Sequence, residues 1–229
     1  MFLDIDGNKT FALSLGAGPR TLLAHSGWVG NFEDWIATLG PLSARWRTVV
    51  YDHRGAGETR VPPEEISVEA MVADVFRVMD CLEIERCVLG GFSRGVDIVL
   101  RAALLHPERF DGLVLMNGHG EVALPDGSTP PRVPPSRWPG QSHAERLRWF
   151  AERCVPELDS EHIRQWAVDI LSRSSEAVAE RIATMAGEPI DWTSRLPELG
   201  MPTLLIHGER DPFAHTPTVH YLQSLLPDS

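Results

Sequence analysis

The stretch Val88-Leu89-Gly90-Gly91-Phe92-Ser93-Arg94-Gly95 joins an apolar run to a helical pattern through a G-x-S-x-G, a spacing that can make a serine nucleophilic. A serine on a sharp strand-to-helix turn sits in a strained backbone conformation, and the flanking glycines leave room for the neighbouring strand and helix. The turn lifts the hydroxyl above the C-terminal end of a sheet and aims the next backbone N–H at the same point. The hydroxyl attacks well only when a base takes its proton, and the base needs an acid to hold its tautomer. The same residues also read as a glycine-rich turn with a helix-capping serine, and the motif alone does not choose.

The elements around Ser93 favour the chemical reading. Short apolar runs predict strands at 10–15, 21–24, 48–51, 87–89, 112–116 and 203–207. Several are nearly continuous in apolar character, as strands buried on both faces are. Helical patterns alternate with them, which is the signature of a mostly parallel sheet with helices on both faces. Ser67 caps one such helix, whose stripe is Val68, Met71, Val72, Val75, Phe76, Met79 and Leu82. Another begins just after Ser93 and runs to about His106, where Pro107 stops it. Between about Gly120 and Gly200 the alternation breaks. A proline-rich passage (Pro125, Pro130, Pro131, Pro134, Pro135, Pro139) excludes helix and central strand. Three helical patterns follow. The first opens on a capping box of Ser142 and Glu145, and the second carries Ile163, Trp166, Ala167, Ile170 and Leu171 on one face. The third carries Val178, Ile182 and Met185 and is expected to end in a left-handed cap at Gly187. The expected organisation is core, 1–119; helical insertion, 120–200; core, 201–229.

Three further segments arrive in an order that, with Ser93, resembles the α/β-hydrolase superfamily in its capped, single-domain branch. Leu23-Ala24-His25-Ser26-Gly27-Trp28 is similar to its His-Gly oxyanion loop, with Ser26 in place of the usual first glycine. Tyr51-Asp52-His53-Arg54-Gly55-Ala56-Gly57-Glu58-Thr59 resembles its D-x-R-G-x-G turn, a structural signature. Leu204-Leu205-Ile206-His207-Gly208-Glu209-Arg210-Asp211 resembles the strand and Gly-x-x-Asp that present the triad acid. The resemblance implies an α/β-hydrolase fold with a helical cap, Ser93 as nucleophile and Asp211 as acid. It gives the oxyanion donors as the N–H groups of Arg94 and Gly27, with Trp28 as second choice to Gly27. Trp28, His119 and Trp138 are the expected substrate contacts. The implied reaction is hydrolysis of an ester, thioester or lactone, with C–C bond hydrolysis, peracid formation and cyanohydrin cleavage as alternatives on the same site. A serine nucleophile argues against the dehalogenase and epoxide hydrolase branches, which need a carboxylate there.

The family's chain order is Ser, Asp, His, with the histidine following one more strand. The sequence ends at Ser229 on a segment that reads as the helix before that strand, so the last strand, the last helix and the triad histidine are expected to be missing. His215 and His220 fall in the loop and helix of Asp211 itself, His25 supports the oxyanion loop, and His119 leaves a strand on the catalytic side. None of them is assigned as the base, which leaves an inactive, ligand-binding relative as a further alternative. Loss of the last strand would put Leu204-Leu205-Ile206 at an open edge, a template for self-association.

Composition argues against nucleic-acid and membrane partners, and a small-molecule substrate is what the resemblance implies. A net charge of −11 opposes nucleic acid, and no run approaches the ~20 apolar residues of a membrane span. The N-terminus lacks the basic start and apolar middle of a signal peptide. Three cysteines at no metal-ligand spacing (Cys81, Cys87, Cys154) read as buried thiols in a reducing, cytoplasmic setting. No metal or organic cofactor is implied. Four of the seven tryptophans (Trp138, Trp149, Trp166, Trp192) lie in the insertion. One or two of them are expected to reach an apolar pocket.

Overall fold

A computed structural model describes residues 1–122 and 133–229, so Pro125, Pro130 and Pro131 of the proline-rich passage lie outside the described residues. Its frame is one seven-stranded sheet of β1 (Phe2–Ile5), β2 (Asn8–Leu15), β3 (Thr21–His25), β4 (Arg47–Tyr51), β5 (Cys87–Phe92), β6 (Phe110–Met116) and β7 (Thr203–Ile206). The strand order is β1-β2-β4-β3-β5-β6-β7, antiparallel through β4 and parallel beyond it. The central strands are the nearly continuous apolar runs. Leu23, Ala24, Val49, Val50, Cys87 and Leu89 are at most 1% exposed, as burial on both faces demands.

The helices are α1 (Glu33–Leu42), α2 (Val68–Cys81), α3 (Gly95–Leu105), α4 (His143–Cys154), α5 (Glu161–Leu171), α6 (Glu176–Thr184), α7 (Trp192–Arg195) and α8 (Thr216–Leu225). Ser67 caps α2 by accepting from the Ala70 N–H, and Ser142 with Glu145 forms the capping box of α4. On one face of the sheet, α1 covers a small core of Leu22, Ala24, Trp35, Leu39 and Val50. The larger core on the other face holds α2, α3 and α8. It also takes in Val178, Ala179 and Ile182 of α6, so the helices between β6 and β7 share it. No helix among the described residues is long and apolar enough to cross a membrane.

Two elements form where the sequence pattern made no assignment, and two expectations change. The N-terminal segment is a strand, β1, paired to β2 across Asp6 and Gly7. Both have positive φ (52° and 81°), the backbone of a two-residue hairpin. A helix, α1, forms where Gly40 and Pro41 interrupt the pattern; Pro41 falls in its last turn, where the chain is about to leave the helix anyway. Gly187 is not a left-handed cap. The helix ends at Thr184, and Gly187 is needed because an added Cβ would lie 2.7 Å from Arg101 and Val68. Only Cys87 is buried, because Cys81 and Cys154 are the last residues of α2 and α4 and are exposed there.

Candidate active site

Ser93 has φ 53°, one of five non-glycine residues with positive φ among the described residues. A left-handed serine costs about 1–3 kcal/mol and persists only where the surroundings impose it. They do so here: the Ser93 N–H donates to Met116 O at 2.7 Å, and the Ser93 carbonyl accepts from Val96 N at 3.1 Å as α3 begins. Gly91 and Gly95 flank it because β5, α3 and the loop after β3 meet there. A Cβ on Gly91 would lie 2.8 Å from Gly95 O, and one on Gly95 would lie 2.6 Å from Ser26 O.

Gly27 rests on the serine itself. A Cβ there would be 2.9 Å from Ser93 Cβ and 3.0 Å from Phe92 O, so only glycine lets this loop approach. Two buried histidines hold its peptide planes. His25 Nδ1 donates to Ser26 O at 2.7 Å, and His53 Nε2 lies 3.0 Å from Gly27 O. The rings stack at 5.0 Å. Burial first, then the neighbouring His53, lowers His25 to about 3, so its ring is neutral and its Nδ1 proton stays on the loop. Asp52 of the D-x-R-G-x-G turn ties this loop down from the other side. It accepts from Phe32 N and Glu58 N, both at 2.8 Å.

Asp211 follows β7. Its Oδ1 accepts from the backbone of Phe213 (2.8 Å) and Ala214 (2.9 Å), which leaves Oδ2 to receive another donor. Asn117 Oδ1 accepts from Gly208 N at 3.2 Å and ties the loop after β6 to the loop that bears Asp211. His119, between them, accepts from the Glu121 N–H through Nδ1 at 3.1 Å, so its own proton sits on Nε2. Burial, then Arg94 and His215, lower its pKa, against a smaller opposing pull from Asp211.

Ser93, Asp211, Gly27, Arg94, Trp28, His119 and Trp138 all line one cavity of about 1080 Å³. Its wall is aromatic. Trp138 stacks on Phe150 at 5.0 Å, both pack edge-on to Trp28, and Phe150 meets Phe213 at 4.9 Å. The indole of Trp28 donates to Ala179 O of α6 at 2.8 Å. The stripe of α5 (Ile163, Trp166, Ala167, Ile170, Leu171) faces this space, which is why Ile163 and Trp166 stay 38% and 41% exposed. Of the four insertion tryptophans, Trp138 and Trp166 reach the cavity. Trp192 is buried beneath Arg101, and Trp149 packs on Trp138 and Arg153.

Sequence reasoning put Phe150 on the apolar face of the first insertion helix without giving it a place at the site, and passed over Phe213 and Asp34, a carboxyl on the cavity wall beside Gly30. Burial chiefly, reinforced by Asp52 and Glu33 against the Asn31 N–H, raises Asp34 to about 7. A carboxyl raised in the folded state contributes stability that is complete below its unfolded value near 4 and is lost as pH rises through 7. Asp34→Asn is therefore expected to melt about 5 °C above the parent at pH 8.5 and close to it at pH 4.5. Thermal unfolding at the two pH values checks this; equal gains at both would show that Asp34 is not a protonation-linked site.

A left-handed serine between a parallel strand and a helix, an opposing glycine loop and an acid after a later strand stand on a frame shared with solved structures. An esterase of Exiguobacterium antarcticum superposes with a TM-score of 0.84 at 22% identity, covering 99% of this chain and 87% of that one. An enol-lactonase of Burkholderia xenovorans gives 0.79 at 20% identity, covering 99% and 88%. In sequence, a protein named as the putative carbamate hydrolase RutD of Caulobacter segnis is 38% identical over 104 residues, 44% of this chain and 39% of that protein. The match thus spans about two fifths of such relatives. The sequence profile of the alpha/beta hydrolase fold matches residues 20–229, and with this topology the chain belongs to the alpha/beta hydrolase family.

Proposed function

We propose that the chain is the catalytic unit of a serine hydrolase acting on a carboxylic ester, thioester or lactone of a small, partly apolar substrate. The observation that carries this reading is the strained Ser93 beneath Gly27 at the wall of an aromatic cavity that Asp211 also lines. Ser93 Oγ attacks the substrate carbonyl, and the carbonyl π electrons move onto its oxygen. The N–H groups of Arg94 and Gly27 receive that oxyanion, with His25 and His53 fixing the loop so that little reorganisation is needed. An imidazole takes the Ser93 proton and returns it to the leaving oxygen or sulfur. Water then attacks the acyl-enzyme by the same route and releases the acid. Asp211 Oδ2 receives the N–H of that imidazole. By resemblance, the base follows Asp211 in chain order.

A ligand-binding relative is the second reading, and the state of His119 favours it. His119 is the only histidine lining the cavity among the described residues, and its Nδ1 already accepts from Glu121. A serine-directed fluorophosphonate separates the two. The hydrolase reading expects one covalent adduct, located by peptide mass spectrometry on Ser93. An adduct elsewhere, or none when a histidine-bearing segment follows Asp211, overturns it in favour of ligand binding.

A further inference from the structure

One side chain next to Ser93 ties the start of the insertion to the end of α6. Arg94 Nη2 donates to Met185 O at 2.7 Å, just past the end of α6. Its Nη1 pairs with the carboxylate of Glu121, a left-handed residue (φ 59°) where the chain leaves the sheet after β6. The two side chains are only 16% and 18% exposed, so solvent screens the pair little. Two turns further along α3, Arg101 Nη1 donates to Glu188 O at 2.7 Å, while Arg101 Nε holds Asp97 at 2.9 Å. Glu69 accepts from the Glu188 N–H at 2.9 Å, and Gly187 is pressed against Arg101. The 185–188 segment is therefore laid along α3 and gripped twice.

What this grip holds in place borders the cavity. The helix before it, α6, contributes Ala183 to the cavity wall and its Ala179 carbonyl to Trp28, the residue that anchors the aromatic cluster. A planar guanidinium can serve two acceptors on different segments at once, which an ammonium on a flexible stem does poorly. We propose that the Arg94 side chain is a positioning residue for substrate selectivity: by clamping Glu121 and Met185 together it sets the height of α6 above Ser93, and so the length of acyl chain the cavity accepts. This deepens the hydrolase reading and rests on it only for the word acyl; the clamp itself can be judged without turnover.

The test uses the full chain with Arg94→Met, which keeps the backbone N–H, beside Arg94→Lys and Glu121→Gln. Glu121→Gln removes the charge from one arm and serves if Arg94→Met folds poorly. Two readouts are needed. Amide hydrogen exchange at 183–188 is expected to quicken about tenfold or more in Arg94→Met, as loss of two charge-assisted contacts implies, and by less in the other two. The Kd ratio of butyrate to octanoate, from tryptophan fluorescence, is expected to fall by about tenfold in the same order of variants. Unchanged exchange overturns the clamp. Faster exchange with an unchanged Kd ratio overturns the selectivity role. Failure of the hydrolase reading shows separately, as absence of a fluorophosphonate adduct on Ser93 when a histidine-bearing segment follows Asp211.

Discussion

Ser93→Ala is expected to abolish hydrolysis of short p-nitrophenyl esters, with a loss of up to about 10⁶ in rate where an imidazole engages both Ser93 and Asp211. The size follows from the chemistry: the variant has no atom to form the acyl bond, so the oxyanion donors and the cavity act on water alone. The fold should be indifferent. The substituted alanine would carry the same left-handed backbone, and the Ser93 hydroxyl makes no hydrogen bond among the described residues, so its loss orphans no partner. A stability change of about 0.5 kcal/mol or less is expected. Circular dichroism and thermal unfolding should therefore match the parent while turnover vanishes. Retention of a tenth of the activity would remove Ser93 from the role. Because triad members act as a unit, the size of this loss also reports whether a base is engaged.

The serine turn was legible because its signals are local. An apolar run, two glycines around a serine and a helical stripe lie within a short span, and each has a period or a spacing. The caps at Ser67 and Ser142 are legible for the same reason. What escaped the sequence is non-local or hidden. The aromatic wall draws Trp28 from the loop after β3, Phe150 from α4 and Phe213 from the loop after β7, and no sequence period links them. The clamp is more remote still: Arg94 and Met185 belong to different segments, and each reads by itself as a surface arginine and an apolar helix end. Gly187 shows the converse. A glycine after a helix suggests a left-handed cap, but close contact with Arg101 and Val68 is what requires it. The stripe of α5 was read correctly as a face, yet the sequence did not say that it faces a cavity and not a core.

Adding one strand, a histidine-bearing loop and a helix from a relative after residue 229 is expected to raise both ester hydrolysis and melting temperature. The structural half of the argument starts at β7. Among the described residues it pairs with β6 alone, and Leu204 and Ile206 are 56% and 46% exposed. On the same face Val88, Val114 and Met116 are only half-buried, since the small core under α1 does not reach β7. At the outer edge the Thr203 N–H donates to Asp228 O at 2.7 Å. A paired edge and a covering helix would bury two large aliphatic side chains more fully. At about 1.5 kcal/mol each this amounts to roughly 10 °C in a chain of this size. The chemical half concerns the base. Oxyanion donors and binding alone give about 10³–10⁴ over water, whereas an imidazole held by Asp211 Oδ2 restores the cooperative unit. Ser93→Ala should then cost far more in the extended chain than in the parent. If the parent already hydrolyses esters at ordinary rates as a monomer, the base lies within residues 1–229. His119→Ala and His215→Ala are then the variants that identify it.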